Sequence, residues 1–347
     1  MRICVYSDVH WCENSSIVRS KGQKYSSRLE NLIESVNWAE QLAWYQNCDC
    51  VICCGDFFDA AILNAQEVSA LQDISWAPMS HLFLTGNLET NVSSFDYSTS
   101  DLFKLCPMIT VVNTPQQYFI DDTTELCFLP YMLERNRHML SDYFGKQTAK
   151  RIIFSHNDLK NVQYGNFLST EGFEVEDIES NCDLYFNGHI HHSAPVTDKI
   201  YNIGNLTGQN FTEDATKYSH CAIVVDTDTL EFKVYQNPYA LKFYKLDLTS
   251  CSTENDIHRH LALLNYNGVA TVHVNEQDVE VTRALLETMK IDHIAEYRIV
   301  VNRDQKTSDT PTIAMSSSDH LKQFEEYVLS NIGDSNIVRE ELITIMR

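Results

Sequence analysis

The sequence has no run of apolar residues long enough to cross a bilayer, although apolar residues make up 44% of its 347 positions. A membrane-spanning helix needs about 20 consecutive apolar residues, so we expect no contact with a membrane interior. The apolar run from Ile3 to Tyr6 is also too short for the core of a signal peptide. These absences favour a globular protein of the cytoplasm.

Basic residues are few, because 26 Lys and Arg stand against 48 Asp and Glu and give a formal net charge of -22. Such a charge repels polyanions at long range and argues against tight binding of nucleic acid by this chain alone. Any contact with DNA therefore needs metal ions, a local basic patch or a basic partner.

A zinc-ribbon pattern is absent, because Cys50 and Cys53 form one CxxC with no second pair nearby. Several of the 11 cysteines fall on or beside apolar, strand-like runs, where a reduced cysteine acts as a small apolar side chain. We therefore expect reduced thiols in a reducing compartment. These cysteines are Cys4, Cys48, Cys50, Cys53, Cys54 and Cys127.

Short apolar runs alternate with helical periodicity through residues 1–240, which predicts layers of sheet and helix. The start is predicted as strand, helix and strand, with apolar residues at helical spacing from Leu29 to Ala43 between the two strands. Later strand-like runs are expected to complete this sheet or to form a second, facing sheet. Strands are predicted at Ile3–Tyr6, Cys50–Cys54, His81–Thr85, Leu126–Tyr131, Arg151–Ser155, Asp183–Asn187, Lys199–Ile203, His220–Asp226 and Leu230–Gln236.

Three further segments are predicted after residue 240. Residues 241–303 alternate strand and helix patterns, with helices at Glu254–Leu264 and Val279–Lys290, and are predicted as a small α+β domain. Residues 304–318 have the polar composition of a linker. Residues 319–347 are predicted to form two short amphipathic helices, whose apolar faces are expected to dock on a partner or, alternatively, on this same chain.

Polar motifs follow five of the predicted strands, and strand ends are where open α/β sheets build their sites. In chain order they are DxH, GDxxD, GNxE, SH and GHxH. Each motif alone occurs often by chance, whereas five in this order predict one site. Asp59, the last residue of GDxxD, has two open roles: it acts in the site or it holds the loop. The predicted ligands are Asp8, His10, Asp56, Asn87, His156, His189 and His191.

These ligands offer both oxygen and nitrogen atoms, enough for two cations that share Asp56. Such a set suits Mn, Fe or Zn better than Ca. Two ions about 3.5 to 4 Å apart can activate water and stabilise both oxygens of an in-line phosphoryl displacement. The sequence therefore predicts phosphoester hydrolysis.

The order of the motifs over residues 1–240 resembles the calcineurin-like metallophosphoesterase superfamily. The resemblance implies a two-sheet α/β sandwich flanked by helices and two divalent ions, with Mn as the working ion. It implies one metal on Asp8, His10 and His191, the other on Asn87, His156 and His189, and Asp56 as the bridge.

With its later segments the chain is similar to the SbcD-type DNA-repair nucleases, including the small subunits of phage recombination endonucleases. This similarity implies a DNA exonuclease and endonuclease subunit in which residues 241–303 cap the site and help select DNA. It also implies that residues 319–347 bind an SbcC-type coiled-coil ATPase, which would supply affinity for DNA, and that a homodimer forms. A phage-encoded member would work in the host cytoplasm.

Leu88 departs from the family pattern, which reads GNH followed by an acidic residue. The resemblance implies that this His assists at the scissile phosphate and the leaving group, where leucine can transfer no proton. Loss of such a group costs roughly 10²- to 10⁴-fold in rate. Either the position has been substituted or the natural protein has lost catalysis, and the retention of every metal ligand favours a substitution.

Two other functions stay open. A metallophosphatase or small-molecule phosphodiesterase keeps the chemistry and changes the substrate. A non-catalytic scaffold that binds DNA or partner proteins is favoured by Leu88 and opposed by the intact ligand set.

Overall fold

The computed structural model describes residues 1–13, 24–91, 94–164, 167–251, 253–262, 264, 268–290 and 294–302. The linker predicted at 304–318 and the helices predicted at 319–347 lie outside the described residues. Within them, no helix combines the length and the apolar character needed to cross a membrane.

The strands and helices of the described residues are numbered in chain order. The strands are β1 (Arg2–Tyr6), β2 (Cys50–Cys53), β3 (Ser80–Leu84), β4 (Thr90–Asn91), β5 (Ser94–Ser98), β6 (Ile109–Val112), β7 (Gln116–Asp121), β8 (Thr124–Leu129), β9 (Lys150–Ser155), β10 (Leu159–Lys160), β11 (Gln163–Tyr164), β12 (Phe167–Leu168), β13 (Phe173–Glu174), β14 (Leu184–Asn187), β15 (Ala194–Pro195), β16 (Ile200–Asn202), β17 (Cys221–Asp226), β18 (Phe232–Gln236), β19 (Lys242–Asp247), β20 (Gly268–Asn275) and β21 (Ile294–Asn302). The α-helices are α1 (Ser27–Tyr45), α2 (Ala65–Ala70), α3 (Leu140–Phe144), α4 (Val175–Asn181), α5 (Glu254–Leu261) and α6 (Val279–Lys290), and 3₁₀ turns lie at Leu71–Asp73, Thr99–Leu105, Glu134–Asn136 and Glu276–Asp278.

Two six-stranded mixed sheets form the body of the protein. The first has the order β18-β17-β1-β2-β3-β6 and the second the order β15-β16-β14-β9-β8-β7. The last three strands predicted before residue 240 are therefore divided between the two sheets. Strands β17 and β18 extend the first sheet, and β16 joins the second. This arrangement confirms the predicted two-sheet α/β fold.

The core lies between the two sheets because their strands alternate apolar side chains between faces. Ile3 and Val5 of β1 pack in one cluster with Phe128 and Phe154 of the second sheet. Tyr6, on the opposite face of β1, packs in a second cluster that contains the apolar side of α1. Helices α3 and α4 cover the outer face of the second sheet. The layers are thus helix, sheet, sheet and helix.

The CxxC of β2 places its two thiols on opposite faces of the first sheet. Cys50 belongs to the cluster between the sheets, whereas Cys53 belongs to the cluster under α1. Burial raises the pKa of Cys50 to about 12, so its thiol stays protonated at neutral pH. These two cysteines therefore serve as apolar core residues.

A third sheet follows the sandwich and contains β19, β20 and β21, all parallel. Helices α5 and α6 pack on it around a small core of their own, and α5 ends at Leu261, three residues before the predicted end. The third-sheet unit, defined as β19 to β21 with α5 and α6, is joined to the sandwich by backbone hydrogen bonds. Ala215 N donates to Phe243 O of β19 at 2.6 Å, and Gly208 N donates to Leu241 O, directly before β19, at 3.2 Å.

Candidate metal centre

The predicted ligands meet where the strands of the two sheets end. Asp8, His10 and His191 form one cluster, and Asp56, His156 and His189 form another, each with ligand atoms within 4.8 Å of one another. The clusters are in contact, because the His189 amide donates to Asp8 Oδ2 at 3.0 Å.

The first cluster holds an unsatisfied buried carboxylate oxygen. Nε2 of His10 and Nε2 of His191 lie 3.2 Å apart, and Asp8 Oδ1 lies 3.7 and 3.8 Å from them. Asp8 is fully buried, and its Oδ1 accepts no hydrogen bond from the described residues. Because buried polar atoms are normally paired, a carboxylate oxygen facing two imidazole nitrogens fits a bound cation.

Neighbouring acceptors decide which imidazole nitrogen of each histidine faces its cluster. His10 Nδ1 lies 2.8 Å from Asp59 Oδ1, and His156 Nδ1 lies 2.6 Å from the Cys54 carbonyl oxygen. A carbonyl oxygen only accepts, so His156 holds a proton on Nδ1, and Nε2 is the nitrogen that can bind a cation once its own proton has left. Asp59 holds His10 in the same way, which places it behind a ligand rather than among the ligands.

Asn87 belongs to the second cluster. Its Oδ1 lies 2.9 Å from His189 Nδ1 and 3.2 Å from His156 Nε2. Asp56 Oδ2 is also 3.2 Å from His156 Nε2. The structure thus brings all seven predicted ligand residues together. Three of them offer an oxygen atom to a cation, and four offer an imidazole nitrogen.

Asp158 is a further site residue that the sequence interpretation missed. Its Oδ1 lies 3.0 Å from His189 Nε2, and its Oδ2 accepts from Arg137 Nη2 at 2.9 Å. Burial alone would raise the pKa of Asp158, but His189 and Arg137 together lower it to about 2. The ionised carboxylate accepts the Nε2 proton and leaves Nδ1 of His189 facing Asn87. An acid two residues after the SH motif was the available signal.

Glu89, the acid of GNxE, joins two loops of the site and had no role assigned from sequence. Its Oε1 accepts from Phe58 N at 3.0 Å, and its Oε2 accepts from Gly86 N at 2.9 Å. Burial, followed by the nearby Asp56 carboxylate, raises the pKa of Glu89 to about 7. Glu89 therefore fixes the loop after β3 against the loop after β2.

Four site residues adopt the left-handed backbone region, which non-glycine residues rarely enter. Their φ values are 52° for Asp8, 51° for His10, 48° for Asp56 and 68° for His189. Such strain persists where surrounding contacts enforce it, and it is found most often at functional sites. Glycine is needed at position 86 for a different reason, which is space. A Cβ there would lie 2.1 Å from Asp56 Oδ1.

Leu88 lies beside the second cluster with 36% of its surface exposed. Its backbone amide donates to Asp56 Oδ1 at 3.0 Å, so the peptide helps to hold this carboxylate. The side chain offers neither a ligand atom nor a proton.

The carboxylates control the charge of the histidines. Burial alone would lower the pKa of both His10 and His156. Asp59 and Asp8 instead raise the pKa of His10 to about 10. Asp56 and Asp8 raise the pKa of His156 to about 9. Burial and the neighbouring His10 lower the pKa of His191 to about 4. A cation must therefore displace protons from His10 and His156 before it binds.

The fold and this centre agree with the family match. Residues 1–193 match the family described as calcineurin-like phosphoesterase, and the chain belongs to that family. The fold of the family binds two divalent metals, and the two clusters are the candidate sites for them. The search of curated proteins found no match.

The solved structures that match this chain share little sequence with it. A dimetal phosphatase from Danio rerio has a TM-score of 0.40 and 12% identity, and covers 68% of this chain and 96% of its own. TT1561 of Thermus thermophilus has a TM-score of 0.40 and 11% identity, and the match covers 68% of this chain and 98% of TT1561. The calcineurin-like phosphoesterase YfkN from Bacillus subtilis has a TM-score of 0.34 and 11% identity, and the match covers 68% of this chain and 88% of the YfkN chain.

Proposed function

We propose that this protein is the nuclease subunit of an SbcCD-type complex, a phosphodiesterase that hydrolyses DNA with two Mn ions. The observation that carries the proposal is the pair of touching ligand clusters, in which a buried carboxylate oxygen of Asp8 faces two imidazoles and accepts no hydrogen bond from the described residues. Two cations bound there supply an activated water and neutralise charge on the phosphoryl group.

The surrounding residues orient the ligands before the substrate arrives. Asp59 holds His10, Asp158 holds His189, and the Cys54 carbonyl holds His156, each through the nitrogen turned away from its cluster. Such outer contacts fix ring orientation and raise the basicity of the ligands. We assign Asp59 this positioning role and assign Asp56 the bridge between the cations.

We propose that the third-sheet unit caps the site. The loop between β16 and β17 contacts both, because Gln209 Nε2 donates to the Asp8 carbonyl at 3.3 Å and Phe211 packs on Phe243 with ring centroids 5.6 Å apart. Arg298 of β21 covers the same Phe211 ring at 4.0 Å. These contacts support a capping and DNA-selecting role for residues 241–303.

A basic partner fits the charge of this chain. With a net charge of -22, the subunit by itself repels DNA at long range. We propose that residues 319–347 bind an SbcC-type coiled-coil ATPase, which contributes the affinity for DNA, and that the assembly contains a homodimer of this chain.

Leu88 supports a second candidate, a non-catalytic scaffold that binds DNA or partner proteins. The position lacks a proton donor, so a chain with intact metal binding would cleave poorly. We favour the nuclease because the strained loops and the contacts behind three histidines are the kind of arrangement that a metal-dependent reaction requires.

The experiment compares the chain with its Leu88→His variant on linear DNA and on a chromogenic phosphodiester in Mn. We expect Leu88→His to raise DNA cleavage by roughly 10²- to 10⁴-fold, because it restores a general acid. Adding Asp8→Asn to Leu88→His is the matched control and should abolish the gain.

Exclusive turnover of the chromogenic substrate would replace the nuclease with a small-molecule phosphodiesterase or phosphatase. A Leu88→His protein that stays inert on both substrates, with its ATPase partner, ATP and Mn present, would point to the scaffold.

A further inference from the structure

The loop between β16 and β17 contacts the main chain of two residues in the first ligand cluster. Asn205 N donates to the His191 carbonyl at 3.3 Å. Four residues further along the loop, Gln209 Nε2 donates to the Asp8 carbonyl at 3.3 Å. The ligands Asp8 and His191 come from the ends of strands in different sheets, so this loop is one of the segments that hold the two strand ends together.

Asp8 is a ligand whose main chain needs such support. Its φ of 52° lies in the left-handed region, which a non-glycine residue keeps only where its surroundings enforce it. Its amide donates to the Gly55 carbonyl at 3.1 Å, and its carbonyl accepts from Gln209. Leu206 N donates to the carbonyl of the preceding residue, Ser7, at 3.1 Å. The loop thus contributes two of the contacts that enforce this conformation.

Glu213 lies further along the same loop and fastens it internally. The residue is only 2% exposed. Its Oε1 accepts from Asn205 Nδ2 at 3.0 Å and from Gln209 N at 2.9 Å. Asn205 and Gln209 are the two residues that contact His191 and Asp8. One carboxylate oxygen therefore sets the position of both contacts.

The side chain of Asn205 has one orientation in this network. His220 Nδ1 lies 2.9 Å from Asn205 Oδ1 and 3.3 Å from the Asn205 carbonyl oxygen. A carbonyl oxygen only accepts, so His220 Nδ1 carries a proton and Asn205 Oδ1 accepts from it. Asn205 Nδ2 is then the atom that must find an acceptor, and Glu213 supplies it. Because Asn205 is fully buried, loss of that acceptor would leave its amide unpaired.

Glu213 is costly for the stability of the fold, which points to a role beyond stability. Its Oε2 makes no hydrogen bond with the described residues and lies 3.6 Å from His220 Nε2. The buried guanidinium of Arg28 donates to the Gly208 carbonyl at 2.7 Å. Burial raises the pKa of Glu213 to about 7. Acids perturbed in this way are concentrated at functional sites.

We propose that Glu213 is a positioning residue of the first metal site, which acts through Asn205 and Gln209 to hold His191 and Asp8 in the arrangement that binds a cation. The second cluster is not in contact with this network and should not depend on Glu213. The proposal rests on the proposed function only in that it takes the two clusters as metal sites, and it does not depend on the substrate.

The test measures Mn affinity at each site by isothermal titration. His156→Ala removes a ligand of the second cluster and leaves the first to be measured, and His191→Ala does the reverse. We expect Glu213→Ala to weaken Mn binding by about 10- to 100-fold beside His156→Ala, because residues behind a ligand change metal affinity by that factor. Beside His191→Ala, Glu213→Ala should have no effect. With both clusters intact, Glu213→Ala should retain one tight Mn where the parent protein binds two.

A conservative variant and a control separate positioning from stability. In Glu213→Gln the amide oxygen can still accept from Asn205 and Gln209, so Mn binding should stay close to that of the parent protein. Ile178→Ala opens a cavity under α4, on the outer face of the second sheet. It should lower the free energy of unfolding and leave both Mn affinities unchanged.

Gln209→Leu tests the contact with Asp8 directly. It removes the side-chain donor and keeps the backbone amide that Glu213 holds, so it should weaken the first site several-fold and spare the second. If Glu213→Ala fails to fold, this variant decides: Mn binding like that of the parent protein at both sites would reject the positioning role.

An unchanged first site in Glu213→Ala, or equal losses at both sites, would overturn the positioning role and leave the metal centre and the nuclease in place. A loss in Glu213→Gln as large as that in Glu213→Ala would show that charge, rather than the acceptor, is what matters at position 213. That result would reject the proposal too. Failure of the parent protein to bind any Mn would overturn the proposed function together with this inference.

Discussion

Asp158 Oδ1 lies 3.0 Å from Nε2 of His189, the nitrogen that points away from Asn87. This contact decides which nitrogen of His189 is free to bind a cation. It also links the candidate metal centre to Arg137, which neutralises the carboxylate from its other oxygen. The orientation of a ligand thus depends on a residue outside every motif of the family pattern.

Replacing Asp158 with Asn should weaken metal binding by roughly 10- to 100-fold, because His189 loses a charged acceptor for its Nε2 proton. Isothermal titration with Mn measures the change. Asp142→Asn, which alters an exposed carboxylate on α3, is the control and should bind Mn like the parent protein. Equal losses in the two variants would show that Asp158 acts only through the overall charge.

Binding of Mn near pH 7 should release about two protons, because His10 and His156 are protonated before the cations bind. The pKa values of about 10 and about 9 mean that affinity rises as the pH is raised toward them. Titrations in buffers of different ionisation enthalpy count the protons. His10→Ala should release about one proton fewer, and a binding heat that does not depend on the buffer would contradict the assigned charges.

Glu213 should make the protein less stable as the pH rises from about 4.5 to about 7. Burial raises the pKa of this carboxyl from 4.5 to about 7, so the folded chain favours its protonated form. Between about pH 4.5 and 7 the carboxyl ionises in the unfolded chain but stays protonated in the folded chain, which favours unfolding. Above pH 7 the carboxyl is ionised in both states. Relative to Glu213→Gln, the native chain should lose about 2 to 4 kcal/mol of unfolding free energy across this range.

Urea unfolding of both proteins at pH 5 and pH 8 measures this difference. Glu231→Gln alters an exposed acid and serves as the control, with the same pH dependence as the native chain. If Glu213→Gln and the native chain lose stability in parallel, the buried carboxyl at position 213 is not the group that titrates.

Gly86→Ala should disrupt the centre, because the added Cβ would lie 2.1 Å from Asp56 Oδ1 and 2.4 Å from Asp56 N. We expect a loss of about 3 kcal/mol in unfolding free energy, together with weaker Mn binding. Gly145→Ala is the control, because an added Cβ there meets nothing within 4 Å. Its cost is that of its backbone conformation (φ 65°, ψ -172°), which is nearly restricted to glycine and costs about 1 to 3 kcal/mol, so its Mn binding should stay unchanged. Similar losses of Mn binding at both glycines would remove the steric argument.

Local sequence predicted the candidate ligand set and most of the strands that carry it. A buried strand is a short apolar run, and the polar residues directly after it must lie at its end, so Asp8, Asp56 and His156 follow from the pattern alone. The edge strand β7 was not predicted, because its half-exposed side chains lack both a continuous apolar run and a clear alternation.

Only the tertiary structure decided which side chains support the ligands and where an unused polar group remains. Asp158 reaches His189 from 31 positions away, and Glu89 joins Phe58 to Gly86. Packing against Val112 and Tyr131 buries Thr85, whose hydroxyl makes no hydrogen bond with the described residues. Periodicity specifies how a segment folds, whereas the partner of each polar atom depends on which segments pack together, and that is set by the whole core at once.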